Sequence, residues 1–171
     1  MLKQIPNAIT ALNILSGCVA LLFAVSGDLI LASFFVLLGI FFDFFDGFAA
    51  RLLNAQSEIG LQLDSLADVI TSGLVPGIMV FQLLNLSLFG SVRSMTDIFY
   101  NEAWNASFTD YIPFVGLFIV VGSAYRLAKF NVDTRQTSSF IGLPTPANAI
   151  FILSLPLILN YQYSELAESI I

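Results

Sequence analysis

The chain of 171 residues is 57% hydrophobic and only 11% charged, and it carries a net charge of −6, one cysteine and no histidine. Soluble domains carry about 25% charged residues, so with a mean hydropathy of +0.88 this composition excludes a soluble globular protein and predicts an all-α, polytopic membrane helix bundle. Six basic residues in the whole chain argue against a nucleic-acid partner, the lack of histidine removes imidazole as base or metal ligand, and Cys18 alone builds no disulfide framework.

Apolar runs near the ~20 residues that cross a bilayer as helix predict five spans. The first covers about 8–25; Asn13 and Gly17 interrupt it, unlike the core of a cleavable signal peptide. Ser26-Gly27-Asp28 then supplies a tight reversal into the second span, about 29–53, so the two form a hairpin. A short polar break at 54–58 leads to the third span, about 59–86, loosened near Gly73, Pro76 and Gly77. The longest polar connection, 87–111, carries Arg93, Asp97, Glu102 and Asp110 with the interfacial aromatics Tyr100, Trp104 and Tyr111. The fourth span is about 112–130, and Gly142-Leu143-Pro144-Thr145-Pro146 opens the fifth, about 147–161. With this topology Lys3, Arg51, Arg126, Lys129 and Arg135 share one side and only Arg93 lies on the other. Basic residues accumulate on the cytoplasmic side, so the N-terminus and the 54–58 connection are expected there.

Four aspartates break the apolar pattern beside that connection. At about 100° per residue Asp43, Asp46, Gly47 and Ala50 share a narrow stripe of the second span, with Arg51 beside it. Phe41, Phe44, Phe45 and Phe48 occupy the rest of the circumference. Gly60, Asp64 and Asp68 follow one another at four-residue steps and line one face of the third span. The short connection forces the two helices to run antiparallel, which lets the acidic faces meet. A lone Asp near a helix centre costs roughly 2.5 to 3.5 kcal/mol in a membrane, and Arg51 alone cannot neutralise four of them. Two divalent cations can, and an all-oxygen ligand set selects Mg²⁺ or Mn²⁺ over zinc. Gly47, Ala50 and Gly60 either open a cleft beside the carboxylates or allow close helix packing.

Written out, the segment is D-x-x-D-G-x-x-A-R-x8-G-x-x-x-D-x-x-x-D. It resembles the signature of the CDP-alcohol phosphatidyltransferases at all eight specified positions. The flanks GLQLDSLADVITSGLVPG, YRLAKFNV and FIGLPTPANA, with the opening IPNAITALNILSG, are similar to the small integral-membrane phosphatidylserine synthases within that family. The resemblance implies a single membrane domain over residues 1–171 that transfers a phosphatidyl group from CDP-diacylglycerol to L-serine, releasing CMP. It implies a two-metal site of Asp43, Asp46 and Asp64 completed by Asp68, which would also act as base toward the acceptor hydroxyl. It further implies that Gly47, Ala50 and Gly60 border the cytidine, that Arg51 binds phosphate, and that the chain forms a homodimer in the lipid bilayer. The family has six spans where five are visible, so the last helix is expected to be missing after ELAESII.

Three assignments stay open in the sequence. Arg126 and Lys129 either hold the acceptor or a phosphate, or anchor the fourth span at the membrane surface. Asn7 and Thr10 either cap the first helix or reach the nucleotide. Glycerol 3-phosphate or inositol phosphate is the alternative acceptor, although phosphorylated acceptors call for more cations than Arg126, Lys129 and Arg135 provide. A cation transporter would place its acids near the midplane, and a prenyltransferase has no need of the D-x-x-D-G-x-x-A-R spacing.

Overall fold

The structure, a computed structural model, describes residues 4–100, 107–132 and 142–168. Among these residues every regular element is helical, as the composition predicts. Helix α1 (Ile5–Ser26) starts with Pro6 in its first turn and ends on Gly27, whose φ of 90° closes the helix by returning its N–H to Ala24. Asp28 accepts from the Leu31 amide and starts α2 (Leu29–Leu52), so the predicted Ser26-Gly27-Asp28 reversal is present. The α1–α2 pair makes the most extensive helix contact in the molecule. Fully buried Ala20, Ala24, Ala32 and Val36 pack its core, and the Ser16 hydroxyl donates to the Phe35 carbonyl at 2.7 Å. Small residues and short polar bonds are what bring helices together where lipid gives no hydrophobic drive.

The third predicted span is one continuous helical rod in three parts. Ser57 caps α3 (Glu58–Asp68) by accepting from the Gly60 amide at 3.0 Å; a π-helical segment (Val69–Leu74) comes next, and α4 (Val75–Phe89) completes the rod. The loosening expected at Gly73–Gly77 therefore takes the form of a π segment that starts directly after Asp68. Short helices α5 (Met95–Tyr100) and α6 (Phe108–Tyr111) and a 3₁₀ segment (Ile112–Leu117) lead into α7 (Phe118–Val132). A Cβ on Gly116 would stand 2.7 Å from the Gly77 carbonyl oxygen, so the 3₁₀ segment and α4 touch backbone to backbone. The polar end here is pinned by a buried ion pair, Arg93 to Asp110 at 2.7 Å, with the guanidinium 4.4 Å from the Phe89 ring centroid.

Four helical stretches among the described residues are long and apolar enough to cross a membrane: Ile5–Ser26, Leu29–Leu52, Glu58–Phe89 and Phe108–Val132. These coincide with the first four predicted spans. The fifth predicted span falls in α8 (Thr145–Glu168), which packs against α2, α4 and the π segment but is not among those four. Lys3, Glu102, Trp104 and Arg135, used above for orientation and the polar connection, lie outside the described residues.

Candidate active site

The polar faces of α1, α2 and α3 meet at the end of the bundle that carries the 54–58 connection. Asp64 lies six residues into α3 and Asp46 six before the end of α2, a depth of about 9 Å at 1.5 Å per residue. One carboxylate oxygen from each of Asp43, Asp46 and Asp64 comes within 4.8 Å of the others. Like charges this close repel one another, and a cation held between them would remove that repulsion. Phe41, Phe44, Phe45 and Phe48 are all exposed on the outer faces of the same helix, as the helical spacing predicts.

Three acids with an all-oxygen donor set fit a hard divalent cation. Closely spaced oxygens are what Mg²⁺ and Mn²⁺ coordinate, and no His or Cys competes for a softer metal. Asp68 is not part of this triad. Its Oδ2 accepts from the Thr145 hydroxyl at 3.5 Å, and its charge interacts with those of Asp64 and Arg126.

A cavity of about 590 Å³ opens beside the triad, lined among others by Asn7, Thr10, Gly47, Ala50, Arg51 and Gly60. All six residues assigned above to nucleotide or phosphate thus reach one space. A Cβ on Gly47 would meet nothing within 4 Å. Of the two readings of the small residues, the open cleft describes Gly47. At Gly60 both apply, since a Cβ there would stand 3.1 Å from Asn7 Oδ1 and from Ser57 Oγ.

Asn7 and Thr10 do not cap α1. The cap position is Gln4, which makes no side-chain bond, and Asn7 and Thr10 lie inside the helix. Thr10 is instead buried with its hydroxyl against Asp46 Oδ2 and the Pro6 carbonyl, which orients the most buried of the four carboxylates. Asn7 stands over Gly60 at the cavity wall.

A second, smaller cavity of about 220 Å³ lies between α7 and α8, lined by Ile119, Gly122, Ser123, Arg126, Leu143, Thr145 and Asn148. Arg126 is therefore brought to the site. Lys129 is exposed and lines neither cavity, so its place is that of a surface cation. Asn131 donates to Ser65 Oγ at 2.9 Å and ties the end of α7 to the residue after Asp64. Thr145, Asn148 and Asn131 carry no periodic or spacing signal in the sequence; they fall in the flanks YRLAKFNV and FIGLPTPANA, where resemblance alone marks them.

Residues 3–171 match the family model described as CDP-alcohol phosphatidyltransferase. The chain is 30% identical over 173 residues to the CDP-diacylglycerol--serine O-phosphatidyltransferase of Bacillus subtilis, covering 99% of this chain and 82% of that protein. It is 32% identical to the Helicobacter pylori protein of the same name, spanning 60% of its length, and 31% identical to the archaetidylserine synthase of Methanothermobacter thermautotrophicus, spanning 63%. No solved structure matches the chain.

Proposed function

The chain belongs to the CDP-alcohol phosphatidyltransferase family, and on that premise we propose that it transfers the phosphatidyl group of CDP-diacylglycerol to the hydroxyl of L-serine. The observation that carries this reading is a pair of unlike spaces beside the carboxylates. The large cavity lies against Asp43, Asp46 and Asp64, and the small cavity, lined by Arg126, is linked to Asp68 by Thr145, which lines it and donates to the Asp68 carboxylate. That arrangement suits a reaction with a large anionic donor and a small zwitterionic acceptor.

In this reading Asp43, Asp46 and Asp64, with Asp68, hold two Mg²⁺ or Mn²⁺ ions. Bound there, such ions supply positive charge to a pyrophosphate and to its leaving phosphate. Gly47, Ala50 and Gly60 leave room for the cytidine, Arg51 pairs with phosphate, and Asn7 and Thr10 line the same space. Arg126 holds the serine carboxylate in the small cavity, and Asp68 takes the proton from the serine hydroxyl. A P–O bond forms to the serine oxygen as the P–O bond to CMP breaks, with the displaced electron pair leaving on CMP. An ordinary carboxylate is a weak base toward an alcohol, so its effect rests on orientation, which the Thr145 hydroxyl supplies. Arg126 is the one cation lining the small cavity among the described residues, which favours serine over glycerol 3-phosphate or inositol phosphate. The enzyme works as a homodimer in the bacterial inner membrane, with its N-terminus and active site cytoplasmic.

The test is an acceptor screen. Purified protein with CDP-diacylglycerol and Mn²⁺ or Mg²⁺ is given serine, glycerol 3-phosphate or inositol phosphate, and CMP release is measured. Release with serine is expected; release with a phosphorylated acceptor and none with serine overturns the assignment.

A further inference from the structure

One turn below the carboxylates the three polar faces close on a single side chain, Thr71. Its hydroxyl donates to Asn13 Oδ1 of α1 at 2.8 Å, and both residues are fully buried. A Cβ on Gly17 would stand 2.6 Å from the Thr71 hydroxyl, and a Cβ on Gly39 of α2 would stand 2.6 Å from its methyl group. Thr71 is thus wedged between α1 and α2, in space that exists only because both neighbours are glycine.

The three faces run in register. On α1 Asn7, Thr10, Asn13 and Gly17 share one stripe; on α2 Gly39 precedes Asp43 by one turn; on the third rod Thr71 comes three residues after Asp68. Asn7 meets Gly60, Thr10 meets Asp46, and Asn13 with Gly17 and Gly39 meets Thr71. Thr71 also lies inside the π segment. A π turn takes up one residue more than an α turn and rotates the downstream helix by about 100°. The carboxylate-bearing α3 and the core-packing α4 are therefore out of phase, and something must hold that phase difference where it is.

We infer that Thr71 is the positioning residue that holds Asp64 and Asp68 in register with Asp43 and Asp46, through its wedge between Asn13, Gly17 and Gly39. Its hydrogen bond fixes the third rod to α1, and its methyl fills the space beside Gly39 of α2. It touches neither substrate nor ligand, and its effect passes through the carboxylates. The inference rests on the reading of those carboxylates as a metal centre.

The test compares Thr71→Val, which keeps the shape and loses the donor, with Thr71→Ser, which keeps the donor. Mn²⁺ binding is read directly from the free-ion paramagnetic resonance signal, alongside the Mn²⁺ concentration for half-maximal CMP release, the KM for serine and the thermal midpoint. Thr71→Val is expected to weaken Mn²⁺ binding about tenfold, the low end of the effect of outer-shell substitutions, with the serine KM moved less than about twofold because the small cavity lies between α7 and α8. Thr71→Ser is expected to bind Mn²⁺ nearly as the parent does. Should Thr71→Val fail to accumulate, Thr71→Ala carries the same expectation without added bulk. Unchanged Mn²⁺ binding in the donor-less variant overturns the inference, as does a loss of metal and serine affinity in equal proportion, the mark of general loosening. If the parent protein itself binds no Mn²⁺, the metal centre is what fails.

Discussion

Gly47 offers a substitution in which folding and function part company. It sits mid-helix in α2, where glycine costs roughly 0.5–1 kcal/mol relative to alanine, and a Cβ there meets no protein atom within 4 Å. Gly47→Ala is therefore expected to leave the protein as stable as before or more so. The added methyl projects into the 590 Å³ cavity, into space assigned to the cytidine. Crowding of one methyl group in a filled site costs about 1–3 kcal/mol, which corresponds to roughly 5- to 150-fold in affinity. Thermal unfolding in detergent reads the first effect, and calorimetric titration with CDP or the KM for CDP-diacylglycerol reads the second. An alanine variant that binds CDP as the parent does would refute the cleft. Gly60→Ala serves as contrast, because its Cβ would press on Asn7 and Ser57 and should lower stability and affinity together.

The same geometry sets three further outcomes. Thr10→Val removes the hydroxyl that bonds Asp46 and should raise the Mn²⁺ concentration for half-maximal CMP release about 10- to 100-fold. Arg126→Gln should raise the serine KM about 10- to 100-fold, the equivalent of a charge-assisted hydrogen bond of roughly 1.5–3 kcal/mol, whereas Lys129→Gln at the exposed position should leave it within about twofold in the same steady-state assay. Arg93→Met removes the cation paired with the buried Asp110 carboxylate at the far end of the bundle and should cost about 3–5 kcal/mol. That loss is read as a lower thermal midpoint, with the KM for CDP-diacylglycerol unchanged in molecules that remain folded.

The parts of the site that lie close in sequence were legible in it. Asp43, Asp46, Asp64 and Asp68 announce themselves by their cost among phenylalanines, and helical spacing alone puts them on facing stripes. The outward positions of Phe41, Phe44, Phe45 and Phe48 come from the same arithmetic. Contacts between distant segments were not legible. Asn13 and Thr71 are 58 positions apart, and Asp68 and Thr145 are 77 apart; nothing in local periodicity pairs them. Gly73 and Pro76 hinted at a break in the third span, but a π turn is set by what it packs against, here α1, α2, α7 and α8. Nor could the sequence decide between the two readings of Thr10, because the partner that holds its hydroxyl, Asp46, lies 36 residues away on another helix.

The exposed phenylalanine band on α2 has a consequence for how such a catalyst meets its donor. The carboxylates lie only about two helical turns below the helix ends, on the opposite face of the helix that shows those rings to the surroundings. On the proposed reaction, a donor with two acyl chains can leave its tails among its neighbours while its phosphorus enters the shallow cleft from the side. No extraction step is needed, and the search takes place in a plane. Turnover then tracks the mole fraction of donor within the leaflet, and diluting it with inert lipid slows the enzyme at constant bulk concentration.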